Sequence, residues 1–138
     1  IGRAVAEQFI LDRIRENHDK QRMELRARLG ISHPKLIQVI AEMEQSIEEP
    51  LSQIELAQAS NLSTRQLERL FRKYLGCTPT RYYLMMRLER ARQLLAQTSM
   101  SILSVALACG FVSASHFSKC YREYFGRTPR AERAQSEA

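Results

Sequence analysis

Three observations write an all-α fold into this sequence. Residues 67–79 (LERLFRKYLGCTP) recur fifty positions later as residues 117–129 (FSKCYREYFGRTP). Each copy is preceded by paired serines in the pattern that caps helix N-termini. Between the copies, Thr78-Pro79 opens a long stretch whose apolar residues recur at helical spacing. The repeat is ordered along its length: Phe71 falls on Tyr121, Arg72 on Arg122, Tyr74 on Tyr124, Gly76 on Gly126 and Thr78-Pro79 on Thr128-Pro129. Upstream the register shifts by one, with Leu56-Ala57 on Val105-Ala106 and Ser52 on Ser101. The second copy therefore carries one extra residue before Ser113, in a turn, where an insertion costs least.

Taken in chain order, residues 4–15 have helical spacing (Val5, Phe9, Ile10, Ile14), and residues 16–32 are polar without periodicity, the pattern of a linker. Leu36, Ile40, Met43 and Ile47 then mark an amphipathic helix that starts near Pro34, ends at Pro50 and packs on the first copy. Ser52 with Glu55 forms a capping box, and Leu51 with Leu56 the accompanying hydrophobic staple. That helix stops at Ser60-Asn61, because Asn tolerates the left-handed conformation of a turn. Ser63 with Gln66, stapled by Leu62 and Leu67, opens a second helix running to Leu75, with Gly76 behind it. Two short helices across a tight turn make a helix-turn-helix unit. Thr78 caps and Pro79 begins a connecting helix that runs to about Gln97, a rod of roughly 27 Å. In the second copy Ser101 caps, with Met100 and Val105 as staple, and Gly110 makes the turn. Ser113 caps the last repeat helix with Val112 and Phe117 as staple, and His116 in place of Glu or Gln leaves its box incomplete.

Composition narrows the function. The 138 residues are 44% hydrophobic, enough for a core without metal or disulfide help. Twenty-one Lys and Arg against fifteen Asp and Glu give a net charge of +6, which favours polyanionic partners. Cys77, Cys109 and Cys120 are odd in number and lack CxxC spacing, which points to neither a zinc cluster nor a disulfide framework and fits a reducing cytoplasm. The apolar stretch around Gly110 is too short to cross a membrane, and no signal peptide is visible. The chain begins at Ile1 rather than Met, so a fragment of a longer chain is expected. No GxSxG, HExxH, phosphate loop or Cys and His pair supports catalysis, and no cofactor is implied.

The outward faces of the two repeat helices carry the functional expectation. In the first, Leu67, Leu70, Phe71 and Tyr74 share one side, while Arg65, Arg69 and Arg72 lie within about 60° of one another opposite, bordered by Glu68. An arginine stripe starting near a helix N-terminus suits major-groove reading, since Arg bridges guanine O6 and N7 and Glu accepts from cytosine N4. The alternative is a solvated face with Glu68 paired to Arg65 or Arg72. In the second, Ser115, Ser118, Lys119 and Arg122 face outward beside His116, a smaller and less charged surface for reading bases or gripping phosphate. His116 is expected to hold no metal, for want of a His, Cys or Asp partner at ligand spacing. Phe71, Tyr74, Tyr121, Tyr124 and Phe125 are read as core rather than as single-strand stacking platforms. Ala57 and Ala106 are read as small for close helix crossing. Arg81, Arg87, Arg90 and Arg92 place charge between the two faces, some against phosphate and others paired with Glu89.

Three segments, LAQASNLSTRQLERLFRKYLGCTPTRYY, RLERARQLL and VALACGFVSASHFSKCYREYFGRTP, resemble the DNA-binding domain of AraC/XylS-type transcription regulators, over residues 36–130. The resemblance implies two homeodomain-like helix-turn-helix subdomains on one linker helix, reading double-stranded DNA. It places Thr64, Arg65, Glu68 and Arg69, then Ala114, Ser115, His116, Ser118 and Lys119, against bases. Ser63, Arg72, Arg81, Arg87, Ser113 and Arg122 are then the expected phosphate contacts. Glu132 stands where the family often has Tyr, so a weakly anchored last helix and a disordered tail from Gln135 are expected. Residues 1–33, with FILDRIRENHDKQRM, are similar to the end of the amidase-like sensor domain of one subgroup, whose members regulate catabolism of amino acids, arginine or betaine-type compounds. The implied organisation is a sensor remnant and linker at 1–33, a first subdomain with the connecting helix at 34–98, and a second subdomain with its tail at 99–138. RNA polymerase, and a small-molecule effector bound through an upstream domain, are the implied partners of an activator of a catabolic operon. The rivals are a helical module docking on an acidic protein and a piece of an amidotransferase-like enzyme.

Overall fold

The structure, a computed structural model, describes residues 33–137, so the helix expected at 4–15 and the linker at 16–32 lie outside the described residues. Seven helices follow there: α1 Pro34–Gln45, α2 Gln53–Ala59, α3 Thr64–Leu75, α4 Pro79–Gln97, α5 Ile102–Ala108, α6 Ala114–Phe125 and α7 Pro129–Glu137. Helices α2 and α3 form one helix-turn-helix unit, and α5 and α6 the other. The all-α expectation holds, with α4 running from Pro79 to Gln97 over 19 residues.

The caps form as the serine pattern requires. Ser52 accepts from the Glu55 amide while Glu55 reaches back, and Ser63 does the same with Gln66. Ser101, Ser113 and Thr78 each accept an amide hydrogen bond three residues on. Both turns use the left-handed region, Asn61 at φ 55° and Gly110 at φ 84°. In each, the residue after the turn donates to a buried alanine carbonyl, Leu62 to Ala57 and Phe111 to Ala106, both at 2.9 Å.

Apolar faces of α1 to α6 join one core. Leu36, Val39, Ile40 and Met43 of α1 enter it with Leu67 and Phe71 of α3, and Val105, Phe117 and Tyr121 enter from the second unit. Helix α4 supplies Tyr83, Met86, Leu88, Ala91, Leu94 and Leu95. It touches α3 on one side and α5, α6 and α7 on the other. A helix apolar on several faces has to be covered on several faces, which is why α4 belongs to both units.

Three expectations change. Helix α1 ends at Gln45 rather than Pro50, because the Tyr83 hydroxyl donates to the Ser46 carbonyl and accepts from the Leu51 amide at 3.1 Å, holding residues 46–51 as a bend. Ile47 still reaches the core. The staple on α6 is Phe111, not Val112: Phe111 is 3% exposed with its ring 5.1 Å from that of Phe117, whereas Val112 is 90% exposed. Val112 is the extra residue of the second copy, pushed outward because Phe111 already occupies the position equivalent to Leu62.

The last helix is anchored after all, and by Glu132, the residue on which the expectation of weak anchoring rested. Glu132 is 5% exposed and accepts from the Tyr121 hydroxyl (2.6 Å) and from Arg127 Nε (3.1 Å), with Arg92 Nε at 3.7 Å. The equivalent pair in the first copy is Phe71 and Tyr82, two rings in edge contact at 5.6 Å. The second copy therefore replaces a ring contact by a hydroxyl and carboxylate pair at the same place. Arg133 adds bonds to the Leu95 and Thr98 carbonyls, and α7 continues through Gln135 to Glu137.

Candidate nucleic-acid interface

The stripe on α3 is presented as its spacing requires. Ser63, Thr64, Arg65, Glu68, Arg69 and Arg72 are all exposed, while Leu67 and Phe71 behind them are fully buried. Among the described residues no ion pair occupies Arg65, Arg69 or Arg72. Glu68 is not paired with either arginine; it accepts from Gln53 Nε2 of α2 at 2.9 Å. One carboxylate oxygen is thereby oriented, and the other is left to accept from outside. That long-range bond had no signal in the sequence.

On α6, Ser115, His116, Lys119 and Arg122 are exposed, and Ser113, Ala114 and Ser118 are half-buried. His116 does have a neighbour at ligand spacing: Cys120 Sγ lies 3.8 Å from Nε2, one helical turn on. The i, i+4 spacing of His116 and Cys120 is legible in the sequence. No group of three metal-binding side chains occurs among the described residues. Tyr121 and Phe117 are fully buried, and Tyr124 and Phe125 are packed against the core, which places these rings away from the outward face.

The linker arginines divide. Arg81 is exposed, with its guanidinium 6.0 Å from the Tyr124 ring. Arg92 approaches Glu132, and no pairing with Glu89 occurs among the described residues. Arg87 departs from the phosphate role expected of it. Its Nε donates to the Cys109 carbonyl and its Nη2 to the Gly110 carbonyl, both at 2.8 Å, and its guanidinium lies 4.4 Å over the Phe111 ring. The reason is that α5 ends at these carbonyls, which have no further helical amide to accept from and attract a cation. Burial pushes the neighbouring Cys109 thiol up to about 12, so it stays protonated and inert.

Two capped helices, each carrying a cationic or polar outward face at its N-terminal end and each set on a short crossing helix, define a DNA-binding module. A family model described as a helix-turn-helix domain matches residues 56–135. The transcriptional regulator GbdR of Pseudomonas aeruginosa strain UCBPP-PA14 is 59% identical over 133 residues, covering 96% of this chain and 36% of GbdR. A crystal structure of an AraC-type DNA-binding-domain regulator from Chromobacterium violaceum is 57% identical, covers 76% of this chain and 94% of that one, and superposes with a TM-score of 0.73. The DNA-binding domain of AdpA, solved in complex with a target DNA, is 30% identical with a TM-score of 0.69, covering 72% and 90% of the two chains. The chain belongs to the AraC-type helix-turn-helix DNA-binding domains. Fold and relatives alike are those of transcription regulators, not of enzymes. It spans little more than a third of the length of the curated relative named above. No helix among the described residues is long and apolar enough to cross a membrane.

Proposed function

We propose that this chain is the operator-reading part of a bacterial transcription regulator, which inserts α3 and α6 into adjacent major-groove segments roughly 34 Å apart. The observation that carries the reading is the arginine stripe on α3, which makes no ion pair among the described residues and is exposed on a helix whose Leu67 and Phe71 are fully buried behind it. Thr64, Arg65, Glu68 and Arg69 read bases in one segment; Ala114, Ser115, His116, Ser118 and Lys119 read the other. Ser63, Arg72, Arg81, Ser113 and Arg122 hold phosphates, and Arg87 is not among them because its Nε and Nη2 are held by the Cys109 and Gly110 carbonyls and its guanidinium lies over the Phe111 ring. Different chemistry on the two helices makes the two half-sites unlike: guanine and cytosine suit the arginines and Glu68, and hydroxyl-compatible edges suit the serines.

The longer protein acts in the cytoplasm on the nucleoid, as an activator of a catabolic operon that positions RNA polymerase. An amidase-like upstream domain senses a small molecule of the amino acid, arginine or betaine type. The short similarity over residues 1–33 supports this, together with the length of the relatives. Selection of bound sites from random duplex DNA, followed by mobility shifts with competitor, tests the DNA reading. Two unlike conserved boxes one turn apart are expected. A single box, or retention of an acidic protein in preference to every duplex, would overturn it.

A further inference from the structure

The linker helix carries two side chains one turn apart that are each bolted to a different unit. Tyr83 is 5% exposed, and its hydroxyl bridges the Ser46 carbonyl and the Leu51 amide of the first unit. Arg87 bridges the Cys109 and Gly110 carbonyls in the turn of the second. The repeat shows that this second bond is a substitution. The equivalent carbonyls of the first copy, Ser60 and Asn61, accept from Lys35 Nζ of α1 at 3.1 and 3.5 Å, a bond contained within that unit. In the second copy the cation comes from the shared helix instead, and through an arginine, whose rigid fork spans two acceptors where an ammonium is a point charge.

The two bolted segments also meet. A Cβ on Gly110 would lie 2.5 Å from the Ile47 carbonyl oxygen and 2.6 Å from Pro50 Cγ, so the turn of the second unit rests directly on the bend of the first. Residues i and i+4 share a helix face, so Tyr83, Arg87, the bend and the Gly110 turn form one closed junction.

We infer that Tyr83 and Arg87 are positioning residues that lock the two recognition helices at one separation and angle, so that the half-site spacing an operator must present is set at this junction. This rests on the two-segment reading proposed above. Binding of the second segment then costs no reorientation, which is how preorganisation raises affinity without adding a contact to DNA.

The test uses the whole chain on a duplex selected by the wild-type protein, and on the same duplex with one box scrambled. Arg87→Ala is expected to lose about tenfold on two boxes, to stay within about twofold of wild type on one, and to tolerate an inserted base pair better than wild type does. The salt dependence on one box should be unchanged. Arg87→Lys should fall between wild type and Arg87→Ala, since it keeps the charge and loses the fork. If Arg87→Ala does not fold, Arg87→Lys and Tyr83→Phe read the same ratio. Equal losses on both duplexes with a salt slope lower by about one would show Arg87 to be a phosphate contact and overturn the lock. A wild-type chain that gains from the second box while the variants gain equally overturns the lock alone. A wild-type chain indifferent to the second box overturns the two-segment reading, and the lock with it.

Discussion

Glu132 is a carboxylate taken out of water and compensated. Burial would raise its pKa, but the hydrogen bonds from Tyr121 and Arg127 and the charges of Arg127 and Arg92 outweigh that and hold it below the ordinary 4.5. A depressed carboxylate contributes stability that is present above its unfolded value and lost as pH falls through the folded one. Thermal unfolding followed from about pH 6 to about pH 3 should therefore show wild type losing more stability below 4.5 than Glu132→Gln does. Glu132→Ala should cost about 1–3 kcal/mol at neutral pH, by leaving the buried Tyr121 hydroxyl without an acceptor. The neighbours Phe111 and Val112 make a second pair. Phe111→Ala should cost about 3–5 kcal/mol, since it empties a filled site. Val112→Ser should change chemical-denaturation stability by less than about 0.5 kcal/mol. At the interface, Arg69→Ala should cost about 1–3 kcal/mol of binding and relax preference at one base position, measured by competition among single-base variants. Equal loss on all sequences would make Arg69 a phosphate contact.

The helices themselves show where stability yields to reading. Helix α3 has a complete capping box, whereas α6 has His116 where the return acceptor belongs, so Ser113 satisfies one amide and its own amide gets no side-chain partner in return. His116→Glu should complete the box and raise the stability of the chain by about 0.3–1 kcal/mol. The same change sets a negative charge on a face meant for DNA, so affinity should fall. A variant that gained stability with no loss of binding would remove His116 from the reading face. Caps and turns were legible because each is a local rule spanning a few residues; the α6 staple was not, because the extra residue Val112 shifts that position to Phe111. The end of α1 was not, since it is decided by the Tyr83 hydroxyl, far away in sequence. The same holds for Glu68, oriented by Gln53 from another helix.

The molecule as a unit offers polyanions a basic surface on a net charge of +6. Counterion release predicts that affinity for duplex DNA falls linearly on logarithmic axes with salt, with a slope near −0.9 per phosphate neutralised. Of the five side chains proposed to contact phosphate, Arg72, Arg81 and Arg122 are cationic and point to a slope of about −3, or steeper once Arg and Lys at base positions add to it. Fluorescence anisotropy across a salt series measures this, and a flat response would contradict the basic face.

Local pattern sufficed for the two repeats, the long connecting helix and the residues that line each outward stripe, because hydrophobic period and capping grammar act within a few turns of backbone. Which buried partner each polar side chain finds could not be seen that way. Arg87 turned inward to two carbonyls, Glu132 found a hydroxyl and two guanidiniums, and Phe111 displaced Val112. Such pairings follow from the approach of segments distant along the chain, where desolvation forces every donor and acceptor to be satisfied.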